Sequence, residues 1–288
     1  MTKVLEYYCV THMGKMRDNH EDNYLTCDGK LITLKQQKRM TVKHPQIITR
    51  KVIKGDKAFP AVFSIADGMG GYKAGEIASN TVVTELKKKL KAGHKFANTL
   101  KSPVETVVKY INDINFLVNI KAGADDKLSG MGSTIATLVF EQDGVTAINV
   151  GDSRAYLFEN GMLKQISHDH TFGQQICDMG LEKDVNLEMV SYRKSLTRYV
   201  GMESSLTEDI TKISDKVPYE SSQVYLICSD GLTDEVSPEE IEKICSDYNG
   251  ELTGIGEVLL KFALGNNGKE IGGRDNITFM LIKCRDAE

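Results

Sequence analysis

Apolar residues along the chain follow two spacings. Short runs rich in Val, Ile, Thr, Tyr and Phe, bounded by Gly, Asp or Asn, predict strands. They are Glu6 to Val10, Ile47 to Ile53, Ala61 to Ala66, Ser133 to Phe140, Val145 to Val150, Ala155 to Phe158, Gln223 to Cys228 and Ile277 to Ile282. Several are near enough to pair as hairpins, and Phe140-Glu141-Gln142-Asp143-Gly144-Val145 carries an Asp-Gly turn between two of them. Helical spacing is clear in fewer places. Ser102-Pro103-Val104-Glu105 reads as a start, with Ser as cap, Pro first and Glu third, and Val104, Val107, Val108, Ile111, Asn115 and Val118 follow on one face. Ser237-Pro238-Glu239-Glu240 repeats that start before Ile241, Ile244 and Cys245. A third helix is predicted from about Ala74 to Leu90, and a fourth carries Ile255, Val258, Leu259 and Phe262. Strands grouped in hairpins and helices grouped in pairs predict an α+β fold with antiparallel sheets, not alternating βαβ units. There is no repeat and no low-complexity linker.

Composition narrows the function classes. The 288 residues are 41% hydrophobic and 26% charged, enough to bury a sizeable core. A net charge of -4 gives no basic domain of the kind that binds nucleic acid. No apolar run approaches the ~20 residues that span a bilayer, and Met1-Thr2-Lys3-Val4-Leu5-Glu6 does not open a signal peptide. The six cysteines are scattered with no Cys-x-x-Cys pair, which fits reduced thiols in a cytoplasmic protein and argues against zinc.

The informative chemistry is a recurring placement of aspartate. Ala61 to Ala66 runs into Asp67-Gly68-Met69-Gly70-Gly71, Val224 to Cys228 runs into Ser229-Asp230-Gly231, and Gly273-Arg274-Asp275-Asn276 immediately precedes Ile277. Carboxylates fixed at strand ends would repel one another unless a cation neutralised them, and hard oxygen donors suit magnesium, manganese or calcium. A glycine after the Asp lets a backbone carbonyl come close to an ion. Taken singly, each Asp-Gly is equally readable as a turn; the case rests on the set. Upstream, Met16-Arg17-Asp18-Asn19-His20-Glu21-Asp22-Asn23 combines a guanidinium suited to phosphate with an acid pair, or forms a surface salt-bridge cluster.

Together these stretches resemble the metal-dependent (PPM, type 2C) serine/threonine protein phosphatases, particularly the compact bacterial ones. The match extends through Gly130-Met131-Gly132-Ser133-Thr134, Val150-Gly151-Asp152-Ser153-Arg154-Ala155-Tyr156-Leu157, Asp169-His170-Thr171, Leu196-Thr197-Arg198, Ser229-Asp230-Gly231-Leu232-Thr233-Asp234 and Gly273 to Thr278, in the family's order and over nearly the whole chain. The resemblance implies a central sandwich of two antiparallel sheets flanked by helix pairs, with residues 1–288 as one catalytic domain. It implies a cytoplasmic, monomeric phosphatase acting on phosphoserine and phosphothreonine proteins, among them a cognate serine/threonine kinase.

The same resemblance implies the site. Two Mn2+ or Mg2+ ions would share a hydroxide that attacks phosphorus in line, with no phosphoenzyme. Asp67 would bridge the ions, the Gly68 carbonyl would ligate one, and Asp230 and Asp275 would complete the ligands. Glu21 and Asp22 would hold bound waters or a metal directly, and Arg17 would grip the phosphate. A third, weaker ion would use Asp230 and an acid just before Gly-Met-Gly, for which Asp126 is nearest although one residue too far from Gly130. Two departures stand out: His20 where relatives carry Asn, and Met69 after the Asp-Gly, so that no histidine there can protonate the leaving group. Neither His168 nor His170 is assigned.

Other features carry bland readings too. Gly151-Asp152-Ser153-Arg154 reads first as a structural hairpin turn, with Asp152 and Arg154 bonding each other or backbone. Its likeness to a Gly-Asp-Ser esterase motif fails because the last histidine is His170, far from the C-terminus. No Gly-Lys-Ser/Thr follows a glycine loop, which excludes the usual P-loop. A phosphatase-like scaffold that binds phosphoproteins without turnover would be expected to lack metal ligands that are present here. Residues 29–58 carry nine Lys or Arg against Asp56 alone, as a solvated hairpin or as a docking surface for acidic partners.

Overall fold

The computed structural model describes residues 3–41, 44–54, 60–70, 74–93, 102–181, 183, 185, 192–205, 208–265 and 272–286. Two antiparallel sheets carry the architecture. The first contains β1 (Lys3–His12), β3 (Gln46–Lys54), β8 (Arg154–Glu159), β9 (Met162–Gln165), β11 (Val224–Cys228) and β12 (Ile277–Asp286), in the order β3-β1-β12-β11-β8-β9. The second contains β2 (Asp22–Leu25), β4 (Ala61–Met69), β6 (Ile135–Phe140), β7 (Val145–Val150) and β10 (Lys212–Ile213), in the order β10-β7-β6-β4-β2, and β5 (Gly132–Ser133) pairs the end of β4.

Both faces of the central strands are buried, and alternation along each strand divides its side chains between two cores. In β1, Leu5, Tyr7 and Cys9 enter the space between the sheets, while Tyr8 and Val10 face outward. In β12, Met280 and Ile282 point inward, and Ile277, Phe279 and Leu281 outward. Between the sheets Phe140 meets Phe63 and Tyr225 edge-on, with ring centroids 5.6 and 5.4 Å apart. Such pairs add about 0.5–1.5 kcal/mol each beyond area burial.

Helix pairs cover the outer faces. Helices α2 (Gly75–Gly93) and α3 (Pro103–Ala124) lay Ala78, Val82, Leu86, Val107, Ile111 and Val118 over the second sheet. Helices α6 (Pro238–Asp247) and α7 (Leu252–Ala263) lay Ile241, Ile244, Ile255 and Leu259 over the first. Among the described residues no helix is long and apolar enough to cross a membrane. Asn115 lies on the apolar face of α3 because its amide is used: Oδ1 accepts from Gly201 N at 2.6 Å and Nδ2 donates to Ser204 Oγ at 2.8 Å.

The two helix starts that look alike in sequence differ in structure. Ser237 and Glu240 form a reciprocal capping box. Ser102 has the extended cap conformation but no side-chain cap bond; its carbonyl instead accepts from both N and Oγ1 of Thr106. The basic 29–58 segment is not a hairpin. It forms α1 (Leu34–Gln37) and then β3, which crosses to pair with β1 in the other sheet. Lys43, Asp56 and Lys57 lie outside the described residues, as does Gly71. Two further short helices, α4 (Phe172–Asp178) and α5 (Asp230–Thr233), lie in the connections.

Candidate active site

The acids singled out in sequence come together at one end of the sandwich, contributed by both sheets. β2 and β4 pair so that Asp22 and Asp67 are direct register partners. Asp230 follows β11 as the first residue of α5, and Asp275 precedes β12. Two glycines permit this convergence by having no Cβ. A Cβ on Gly68 would stand 2.0 Å from the Gly75 carbonyl oxygen, and one on Gly231 would stand 2.0 Å from that of Asn276. The Gly68 carbonyl itself lies against Gly75 at the start of α2.

Asn276 fastens the loop ahead of β2 onto this end. Its Nδ2 donates to the carbonyls of Met13 (2.8 Å) and Asn19 (3.0 Å), and its Oδ1 accepts from Glu21 N at 2.7 Å. Arg17 is thereby held at the mouth, with its guanidinium half exposed and Nη2 donating to Asp275 Oδ2 at 2.5 Å. Glu21 Oε1 accepts from Asn19 Nδ2 at 2.9 Å. Burial raises the Glu21 carboxyl above its ordinary value, against the opposing pull of Asn19 and Arg17.

The electrostatics are those of like charges crowded together. Asp22 is fully buried, and Ser229 Oγ donates to its Oδ2 at 2.8 Å. Burial, with Asp275 and Asp230 nearby, pushes its carboxyl up to about 7. Burial raises Asp67 well above the carboxylate range, with Asp22, Asp230 and Asp152 adding to the effect. Asp230 is raised by burial and by Asp234 and Asp275. Asp22 Oδ1 and Asp230 Oδ1 are sealed from solvent with no hydrogen-bond partner.

Buried carboxylate oxygens without donors, beside further carboxylates, fit a hard divalent cation. The residues present therefore suit the ions the family implies. Among the described residues, no three acids, histidines or cysteines already form a finished coordination cage; what the fold supplies is the acid set and its excess charge.

Asp126 stands apart. It opens an exposed 3-10 turn, Asp126–Leu128, and is not among the main charges acting on Asp22, Asp67 or Asp230. Its neighbours Asp125 and Lys127 line a cleft of about 570 Å3 with Asp18, Asn19 and Glu76, whereas Asp126 does not. His20 is only 1% exposed, with Nε2 2.7 Å from Thr11 Oγ1, and burial pushes its imidazole down to about 3. It is a neutral core residue. His170 is likewise buried and lowered to about 4, with Nδ1 accepting from Gly151 N at 3.1 Å.

The reading of Gly151 to Arg154 as a hairpin is corrected. β7 and β8 belong to different sheets and do not pair, so the turn carries the chain across the sandwich. Arg154 does not bond Asp152. Its Nε and Nη2 donate to Asp169 Oδ2 at 2.8 and 2.6 Å. Asp152 is pushed up to about 7 by burial and by Asp230 and Asp169, and it acts in turn on Asp67. Motif reading passed over it, although Val150-Gly151-Asp152 repeats the strand-end placement of the other acids.

The chain is similar in sequence and in fold to known proteins. A sequence model of the family described as Protein phosphatase 2C matches residues 33–175. Serine/threonine phosphatase Stp of Listeria monocytogenes is 32% identical over 220 residues, covering 76% of this chain and 82% of Stp. The crystal structure of serine/threonine phosphatase Stp1 from Staphylococcus aureus superposes with a TM-score of 0.72 at 26% identity, over 97% of this chain and 95% of that one. The catalytic domain of serine/threonine protein phosphatase PstP, solved in complex with two manganese ions, superposes with a TM-score of 0.71 at 24% identity, over 99% of this chain and 100% of that domain.

Proposed function

The chain belongs to the protein phosphatase 2C family and is a protein serine/threonine phosphatase, and we propose that it hydrolyses phosphoserine and phosphothreonine through two divalent ions held by Asp67, Asp230, Asp275, Asp22, Glu21 and the Gly68 carbonyl. The observation that carries this reading is the pair of buried, partnerless oxygens, Asp22 Oδ1 and Asp230 Oδ1, inside a set of carboxylates that raise one another's proton affinity. That is an excess of buried negative charge which only a cation or bound protons can balance. PstP with its two manganese ions supports the count of ions; Mn2+ or Mg2+ both suit all-oxygen donors.

When bound, the ions would supply positive charge to the phosphoryl oxygens and a water acidified enough to act as nucleophile near neutral pH. The chain's own residues do the rest. Arg17, tethered by Asp275 but open to solvent, presents a planar fork of donors to the phosphate dianion. Asn19 fixes the Glu21 carboxylate, and Asn276 fixes the loop that carries both. Ser229 orients Asp22 so that one oxygen is saturated and the other is left for the site. His20, buried and bonded to Thr11, is committed to the core and is not our choice for protonating the leaving oxygen. One shared core joins both sheets, which supports residues 1–288 acting as a single catalytic unit. We take it to be a cytoplasmic monomer whose substrates include a serine/threonine kinase.

The test is turnover of a phosphothreonine peptide. Activity should require added Mn2+ or Mg2+ and disappear reversibly with chelator. Asp67→Asn and Asp230→Asn should each lose about a hundredfold or more while remaining folded, because metal-ion stabilisation is worth several kcal/mol. Near-normal turnover of Asp67→Asn in saturating Mn2+ would overturn the ligand assignment.

A further inference from the structure

We propose that the cleft of about 570 Å3 between α1, the start of α2 and the Asp126–Leu128 turn is a substrate subsite, taking a lysine or arginine side chain that flanks the phosphorylated residue, with Glu76 as the acid that reads it. The inference rests on the phosphatase reading above and deepens it.

The walls of the cleft are tied to the residues that carry the site. Gln37, in α1, donates from Nε2 to the Asp22 carbonyl at 2.9 Å. Ser79, in α2, donates to the Glu21 carbonyl. Gly75, just before Glu76, lies so near the loop that a Cβ on it would stand 2.8 Å from Glu21 Oε1. Asp18 and Asn19 also line the cleft, and they directly follow Arg17. Consecutive Cα atoms are only about 3.8 Å apart, so a peptide with its phosphate on Arg17 has neighbouring side chains within reach of the cleft.

Three buried polar atoms of the lining residues have no partner among the described residues: Glu76 Oε2, Gln37 Oε1 and His20 Nδ1. Their side chains are 7%, 2% and 1% exposed, so solvent does not satisfy them. Only the nitrogen of the Gln37 amide can donate to the Asp22 carbonyl, which leaves its oxygen facing away from that bond. His20 Nδ1 is an acceptor when Nε2 donates to Thr11. What the cleft lacks is therefore a donor, and buried acceptors left unpaired are costly. The charged side-chain heads that donate without accepting are ammonium and guanidinium, and the Glu76 carboxylate favours them as charged partners. Its soft terminal torsion lets it turn to meet one. The apolar part of the lining narrows the occupant further. Met40, Ile77 and Leu128 offer a surface on which the methylene stem of Lys or Arg packs while its head is paired; a bare metal ion has no use for such a surface. Lys38 and Lys127 also line the cleft but are exposed, and neither ammonium bonds Glu76 Oε2 or Gln37 Oε1.

The experiment compares matched phosphothreonine peptides in saturating Mn2+, with lysine or its uncharged analogue norleucine at each position from three before to three after the phosphothreonine. At one position or more the parent should prefer lysine by about tenfold or more in kcat/KM, the scale of one charge-assisted hydrogen bond. The difference should lie in KM, with little in kcat. Glu76→Gln keeps the shape, removes the charge and should bring that ratio to within about twofold. Because the ratio is taken on one protein, a change in that protein's overall turnover cancels from it. Leu128→Lys, which sets a lysine of the chain's own in the cleft, should lower the ratio as well and serves as the test if Glu76→Gln does not fold. A parent ratio near one at every position, or a ratio that survives Glu76→Gln (Leu128→Lys where that variant is unfolded), overturns the subsite. So does a Glu76→Gln protein that loses Mn2+ affinity while keeping the parent's ratio, since the cleft then serves an ion. A parent that turns over none of the peptides in Mn2+ overturns the metallophosphatase reading itself, whereas turnover without preference sinks the subsite alone.

Discussion

Replacing Asp22 by Asn should stabilise the protein while divalent ions are withheld and destabilise it, relative to the parent, once they are supplied. Asp22 is fully buried, and its carboxyl is pushed from 3.8 up to about 7 by burial and by Asp275 and Asp230, against the opposing pull of the Ser229 and Thr278 hydroxyls. Because the folded pKa is raised, the folded chain binds more protons than the unfolded chain between these two values. Stability therefore rises as pH falls through that window, and the cost of the buried charge is complete only above it. About three pH units at about 1.4 kcal/mol each make that cost roughly 4 kcal/mol, of which about 3 kcal/mol is recovered by about pH 5. At about 2–3 °C per kcal/mol for a chain of this size, the metal-free parent should gain roughly 6–9 °C relative to the variant between about pH 8 and pH 5. Asparagine keeps an acceptor for Ser229 and puts an amide donor where Oδ1 has none. His12 and His20, lowered to about 4 and about 3 by burial, work the other way, losing stability as pH falls below about 6.5, but they are common to both proteins and cancel in the difference. The assay is thermal denaturation of both proteins in chelator and in Mn2+ across that range. In Mn2+ the order should invert, since two ions, each present at about a hundred times its Kd, together add about 5 kcal/mol to the protein that binds them, more than the roughly 4 kcal/mol cost. A variant less stable than the parent in chelator at about pH 8, or a gap independent of pH, would refute the reasoning.

Arg17→Ala should raise KM for a phosphopeptide about tenfold or more, the scale of one lost charge-assisted hydrogen bond, with a smaller effect on kcat; steady-state kinetics in saturating Mn2+ reads both. Ser237→Ala should cost about 1 kcal/mol in urea unfolding, because a capping box is lost, while Ser102→Ala should cost much less, because its hydroxyl makes no cap bond. Reversing Lys35, Lys38 and Arg39 to Glu should slow turnover of an acidic phosphoprotein several-fold at low salt while scarcely altering that of a small aryl phosphate; equal effects on both substrates would return the segment to a solvated surface.

The sequence was most legible where a single physical rule decides the outcome. Strand runs with both faces buried, such as Val145 to Val150, appear with unchanged bounds, and α6 starts at its capping box. β2 was not legible. Its four residues, Asp22–Leu25, open with two polar side chains that burial patterns assign to a loop. They are buried because Asn23 takes over backbone duties, accepting from Ile32 N at 3.0 Å and donating to the Ile32 carbonyl at 2.9 Å, and because Asp22 accepts from Ser229 Oγ at 2.8 Å. Helices α1 and α5, four residues each, are too short for any period to register. Asp152 was misread for a different reason. Val145 to Val150 and Ala155 to Phe158 stand close in sequence, so a local hairpin was the economical reading, yet they lie in separate sheets. Local spacing cannot tell a hairpin from a crossing.

That crossing explains why the site lies where it does. Asp22 and Asp67 are carried by the second sheet, Asp230 and Asp275 by the ends of strands in the first, and Asp152 by the connection between them. Ser229 Oγ donates to Asp22 Oδ2 and accepts from Thr278 N at 3.0 Å, linking β2 to β11 and β12. Deeper in the sandwich the sheets are held by Leu5, Phe63, Phe140, Tyr225 and Ile282, none of which touches the question of charge. The apolar core therefore fixes how far apart the sheets stand, and the acids at the rim must accept that spacing together with the repulsion it imposes. Bound cations would turn the same spacing from a liability into an inter-sheet contact, so ion binding would be coupled to closure of this end of the fold through the same carboxylates.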